Sequence, residues 1–217
     1  MSKLKLTQAE IDKLVVVDRV EVVSRVCGVG INDVFFQVKI GTKSIWQYRL
    51  WQNMLNRSYC PKYKLRFPTY IGITCCDEWL SFANFLEWVN KEVDYKGKPE
   101  GMCLDKDITI KGNKMYSPEA CSFVPRDVNM LLNDHGAARG DWPVGVYYKK
   151  SSGCFVALLS TLGRRKSLGH YSTPEDAFAA YKVAKEAQIK VVALQHKGVL
   201  KPAVFESLMS WEINHDD

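Results

Sequence analysis

The chain has 217 residues, 47% of them hydrophobic, and a formal net charge of +6. That length accommodates one large domain or two small ones, and the hydrophobic content implies a packed core. It contains no 18-residue apolar run, and its first residues, MSKLKLTQ, hold no apolar signal segment, so the chain reads as neither exported nor membrane-spanning and its expected place is the cytoplasm.

The positive charge is unevenly placed. Gly41 to Tyr70 contains six Lys or Arg and no acid, and Gly145 to Tyr171 contains five and again no acid. Two acid-free basic windows suit a polyanionic partner. The seven cysteines are odd in number and form no Cys-x-x-Cys pair, which points to reduced thiols packed as small apolar residues.

In chain order, Thr7 to Glu10 is a capping box opening a short helix. Val20–Val26 and Asp33–Ile40 read as strands, and Gly28-Val29-Gly30 between them as a hairpin turn. Lys43–Asn56 is predicted helical, with Ile45, Tyr48, Trp51 and Leu55 on one face and Arg49, Gln52, Asn53 and Arg57 projecting elsewhere. Ser58–Tyr70 reads as a loop holding Lys62, Lys64 and Arg66 among Tyr59, Tyr63, Phe67 and Tyr70. Cations among aromatic rings can pair phosphates while the rings stack on sugars or bases. The alternative is a loop whose aromatics pack inward. Asp77–Val93 is a helix with Trp79, Phe82, Leu86, Val89 and Val93 as its core stripe.

Met102–Asn133 reads as strand, turn, strand and helix. The first strand spans Met102–Ile110 by its period-two apolar residues, Lys111-Gly112-Asn113 is turn chemistry, Cys121–Val124 is the second strand, and Pro125 suits the first turn of a helix through Leu132. The glycine-rich run 134–141 follows as a linker. The expected division is therefore 1–134, a linker at 135–144, and a C-terminal unit at 145–217. In that unit Val146–Lys149, Cys154–Ser160 and Lys166–Tyr171 read as strands. Thr173, Pro174, Glu175 and Asp176 open a helix with an N-cap, a proline and two acids in the first turn. Gly198–Trp211 is a candidate final helix. The expected class is α+β.

Two resemblances follow from these segments. Trp51–Arg57 (WQNMLNR), Tyr70–Trp79 (YIGITCCDEW) and Leu104–Asn129 resemble, in order, the HNH endonuclease pattern of tailed-bacteriophage proteins. Gly145-Val146-Tyr147, Gly153–Ala157, Leu168–Tyr171 and Thr173–Ala177 resemble the APETALA2-type DNA-binding fold of plant transcription factors and phage homing endonucleases. Together they imply a ββα-metal domain followed by a three-stranded antiparallel sheet with one helix.

Carried over by position, the first resemblance implies that Asp105 and Asn129 bind a metal, Mg²⁺ or Mn²⁺, which would polarise a scissile phosphate. The family's base is a histidine directly after the aspartate, and here that position is Lys106. Lysine ordinarily carries its proton at neutral pH and is a poor base. Lys106 and Asp107 are the candidate catalytic residues, Lys106 to hold a phosphate and Asp107 to help activate water. Strand alternation predicts that Lys106 faces away from Asp105 and Asp107. The second resemblance implies double-stranded DNA as the partner, contacted largely at phosphates. Its candidate residues are Tyr147, Lys149, Lys150, Arg164, Arg165 and Lys166, joined by Arg49, Arg57, Lys62, Lys64 and Arg66 from the first basic window. The expected function is a phage-encoded, metal-dependent DNA endonuclease acting in the host cytoplasm. The alternative is a DNA-binding or host-inhibiting phage protein, with a host protein as partner, that keeps the scaffold without cleavage.

Overall fold

The computed structural model describes residues 25–93, 101–132, 141–161 and 164–215. The capping box at Thr7, residues 20–24, the connection 94–100, Asn133 and the linker through residue 140 lie outside them. By internal contacts the chain divides into Met1–Phe123 and Val124–Asp217. This division lies N-terminal to the expected linker and assigns the helix after Pro125 to the second unit.

The first unit is built on aromatic residues. Val26 bridges Gly30 through a tight turn in which Cys27 and Gly28 both take positive φ. Gly30 has no room for a side chain, because a Cβ there would meet Leu55 and the Trp51 ring. The chain then forms a short hairpin, β1 (Lys39–Ile40) with β2 (Lys43–Ser44), closed by Gly41 at φ +58°. Helix α1 (Trp46–Tyr59) begins three residues later than predicted, because Lys43 and Ser44 are spent in the hairpin. Ile45, Tyr48, Trp51 and Leu55 are all buried, as their spacing predicted.

Ser58–Tyr70 is not a plain loop. It holds helix α2 (Pro61–Arg66), with Pro61 at the first helical position, and a 3₁₀ turn at Pro68–Tyr70. The single helix predicted over Asp77–Val93 is also interrupted. A 3₁₀ turn (Asp77–Leu80) precedes helix α3 (Phe82–Glu92), and Ser81 between them is an N-cap that accepts from the Asn84 amide. Asp33 anchors this junction by accepting from the Ser81 hydroxyl at 2.6 Å and the Ala83 amide at 2.8 Å. Trp51 meets Tyr48 and Phe82 at 5.6 and 5.3 Å, while Trp79 meets Phe85 and Trp88 at 5.0 and 4.7 Å.

Strand β3 (Thr74–Cys75) pairs in parallel with β5 (Met115–Tyr116). Strand β4 (Met102–Asp105) pairs with β6 (Ser122–Pro125), the strand inside which the first unit ends. The strand predicted over Met102–Ile110 therefore stops five residues early.

The second unit opens with a short helix, α4 (Arg126–Leu131). Its sheet is antiparallel in the order β7 (Val146–Lys149), β8 (Cys154–Thr161), β9 (Arg164–Tyr171), with an irregularity at Ala157/Leu158. Helix α5 (Pro174–Gln195) packs across this sheet, capped by Thr173 as the sequence implied. Gly145 sits at φ +75° against Tyr181, and a Cβ there would overlap that ring. Helix α6 (Pro202–Met209) packs on α5 and is shorter than the predicted Gly198–Trp211. The α4 helix is fastened to α5 by two contacts: Lys185 Nζ donates to the Leu131 carbonyl at 2.6 Å, and His196 Nε2 lies 2.7 Å from Asp127 Oδ2. The architecture is α+β. No helix among the described residues is long and apolar enough to cross a membrane.

Candidate functional site

Two groups of residues gather chemistry, one in each unit. In the first, β4 ends at Asp105 because its carboxylate turns back on the chain. Asp105 Oδ1 accepts the amides of Asp107 and Ile108, each at 2.9 Å. These local bonds replace strand pairing with a turn. The turn corrects the expectation that Lys106 faces away from Asp107: Lys106 Nζ donates to Asp107 Oδ2 at 3.0 Å and to the Asn113 carbonyl at 2.9 Å. Asn113 returns the contact, donating from Nδ2 to the Lys106 carbonyl at 2.7 Å. Asn113 is thus the turn former its sequence position suggested.

Lys106 is buried, and its ammonium stands 5.9 Å from the centre of the Tyr116 ring. An ammonium that donates to a carboxylate and a carbonyl is engaged as a donor. In this geometry Lys106 holds Asp107 in place. Tyr116 connects the cluster to α1, since Arg57 Nη1 donates to its hydroxyl at 3.4 Å while the guanidinium lies over the Tyr70 ring at 5.6 Å. Arg57 Nε is buried without a hydrogen-bond partner among the described residues.

The electrostatics centre on Asp105. Burial first, and then the Asp107 carboxylate, push its carboxyl up to about 6, against the pull of the two amide hydrogen bonds and of Lys106. Burial likewise pushes Tyr116 up to about 12, and the Cys121 thiol above its ordinary range. All seven cysteines are free thiols. Asn129, the second expected metal ligand, is half-buried on α4 in the second unit, whereas Asp105 belongs to the first. Among the described residues no group of three or more His, Cys, Asp or Glu side chains is arranged to hold a metal.

The other cations of the first unit divide by environment. Lys62 and Arg66, four apart on α2, are exposed, with Arg66 over the Phe67 ring at 5.2 Å. Lys64 instead donates to the Ile73 carbonyl at 3.2 Å. Tyr63 packs against Phe67 and Tyr70 at 4.9 and 5.6 Å, so the aromatic residues of this segment cluster with one another. Arg49 is exposed on α1.

The second group is the sheet of the C-terminal unit. Residues directly opposite one another share a face, and alternate residues along a strand share it too. The register pairs Tyr147 with Val156 and His170, Lys149 with Cys154, Leu158 with Ser167, and Ser160 with Arg165. One face therefore carries Tyr147, Lys149, Ser160, Arg165 and Ser167, around a buried Val156. Arg164 and Lys166 alternate to the other face but are exposed, as is Lys150 in the turn. Lys149 and Arg165 lie opposite Cys154 and Ser160, six residues apart on β8, so the two basic ends are about 20 Å apart.

Comparison with protein-family models, curated proteins and solved structures finds no match. Sequence reasoning missed Tyr116 as the link between Lys106 and Arg57, and no local signal marks it. It also missed helix α2, although Pro61 was the available signal.

Proposed function

We propose that this chain is a DNA-binding protein that lays the sheet of its second unit against duplex phosphates, on a plan resembling the phage HNH and APETALA2-type proteins. The observation that carries the reading is the start of β9. Arg164, Arg165, Lys166 and Ser167 are consecutive and exposed, and the residues opposite them, Thr161, Ser160, Leu159 and Leu158, include no acid. Nothing in that pairing neutralises the cations. With Lys149 and Lys150 at the far end, the basic ends are farther apart than the roughly 12 Å width of a major groove, so both flanking backbones are within reach. Five neutralised phosphates give a slope of about −4 to −5 in log K against log salt.

Electrophoretic retardation of duplex DNA by the full chain tests this. Replacing Arg164, Arg165 and Lys166 together by alanine should weaken binding and make the salt slope shallower by about 2 to 3. Retardation that is absent, or that is identical in the triple variant, would remove the sheet from the proposal.

A second reading, metal-dependent phosphodiester hydrolysis, is favoured by one observation. Asp105 and Asp107 crowd one turn, and Asp105 is held above the usual carboxylate range by burial and that neighbour. Such a pair gains from a nearby cation, and two carboxylates are the hard-oxygen donors that suit Mg²⁺. If bound, the ion would act as a Lewis acid on a phosphate oxygen. Lys106 would keep Asp107 oriented. On this reading, supercoiled plasmid with Mg²⁺ or Mn²⁺ should be nicked by wild type and left intact by Asp105→Ala. Plasmid left intact by wild type with both ions would leave the DNA-binding reading alone.

A further inference from the structure

The first unit contains a polar cleft of about 430 Å³ that neither reading uses. It opens between the β1–β2 hairpin and the solvent face of α1, lined by Lys39, Ser44, Arg49, Gln52, Asn53 and Asn56 with the hairpin turn. The volume is within the range of small-molecule sites, about 300 to 1,000 Å³.

The composition of its walls is selective. It holds two cations and no acid, and neither Lys39 nor Arg49 makes an ion pair among the described residues. An anion is therefore the charge it takes. An inorganic anion alone would leave the rest of the wall unused. Arg49, Gln52, Asn53 and Asn56 follow one another at three-, one- and three-residue steps, so they form one row about 10 Å long on the helix. Three carboxamides in that row offer paired donors and acceptors, the pattern that matches the edge of a nucleobase. Asn56 is already oriented. The Cys27 thiol donates to its Oδ1 at 3.1 Å, which leaves its amide NH₂ as the end available to a ligand.

We infer that this cleft binds a nucleotide, with Arg49 and Lys39 on the phosphate and the carboxamides of Gln52, Asn53 and Asn56 on the base. The nucleotide is either free or one unit of a nucleic-acid strand. The site does not depend on the sheet of the second unit.

Isothermal titration calorimetry of the full chain tests it, using nucleoside monophosphates, a short single-stranded oligonucleotide and inorganic phosphate. Saturable binding is expected for a monophosphate or for the oligonucleotide, and which of the two binds identifies the source of the nucleotide. Arg49→Ala should weaken that binding tenfold or more. Asn53→Ala should weaken the nucleotide by a similar factor while leaving inorganic phosphate unchanged. Both residues are exposed, so neither change disturbs the core. The alanine triple variant at Arg164, Arg165 and Lys166 should bind the nucleotide as wild type does, even if duplex retardation is lost. Three outcomes would overturn the assignment: no saturable binding from either nucleotide source, equal binding in wild type and both variants, or inorganic phosphate binding as tightly as any nucleotide.

Discussion

Replacing Trp51 by alanine is expected to cost about 4 to 5 kcal/mol of stability, a large share of the roughly 5 to 15 kcal/mol that holds a domain folded. The indole is fully buried and packed against both Tyr48 and Phe82. It also has a polar duty. Its Nε1–H donates to the Trp79 carbonyl at 2.7 Å, a buried bond that ties α1 to the turn before α3. Alanine leaves a cavity and an unpaired carbonyl together. Phenylalanine fills most of the space and loses only the donor, so Trp51→Phe should cost about 1 to 3 kcal/mol. Urea unfolding of the three proteins separates the contributions. If Trp51→Ala costs less than about 1 kcal/mol, Trp51 is not central to this core.

Asp105→Asn is expected to do the opposite and stabilise the protein by up to about 3 kcal/mol at pH 7. The sign follows from the direction of the shift. The carboxyl is raised from 3.8 to about 6 in the folded protein, so the folded state holds this proton more tightly than the unfolded chain does. The contribution is present below about pH 4 and is lost as pH rises through 6. Asparagine keeps the oxygen that accepts the amides of Asp107 and Ile108 and carries no charge at any pH. The two proteins should therefore be equally stable near pH 4 and diverge toward neutrality, with the variant ahead. A difference that stays constant from pH 4.5 to 7.5 would contradict the burial and repulsion described for Asp105. Under the hydrolytic reading, Mg²⁺ should also narrow the gap at pH 7 by stabilising wild type alone.

The sequence was most readable where structure is set by neighbours in the chain. Val146–Lys149 was delimited by its own turns, and Thr173 with Pro174 marked the start of α5 to the residue. The core stripe of α1 followed from spacing alone. Errors arose where a side chain acts on the backbone a few residues away. Apolar alternation continued past Asp105, but its carboxylate captures two amides and ends β4 there. Periodicity likewise ran through Ser81, although serine followed by a helical run was an N-cap signal. At the candidate site Asp105, Lys106 and Asp107 were identified by position, but their mutual arrangement was inverted. Whether Lys106 faces its neighbours depends on where the strand stops, and a turn reverses what alternation implies. The nucleotide cleft was partly legible: Arg49, Gln52 and Asn53, together with Arg57, were read as projecting away from the core face of α1, although Arg57 does not line the cleft. Its other wall, the hairpin, was hidden because Lys39 to Ser44 is too short to show strand periodicity.

Strand β6 bears on how this protein can change over generations. The boundary between the two units falls within Ser122–Pro125, and the helix that follows is held by Lys185 and His196 far along the chain. A recombination event that joined a new partner at Gly145 would discard α4 and leave those two side chains without Leu131 and Asp127. One that cut at the boundary itself would sever a strand. Exchange of either unit as a whole module therefore either interrupts β6 or removes the partners of Lys185 and His196.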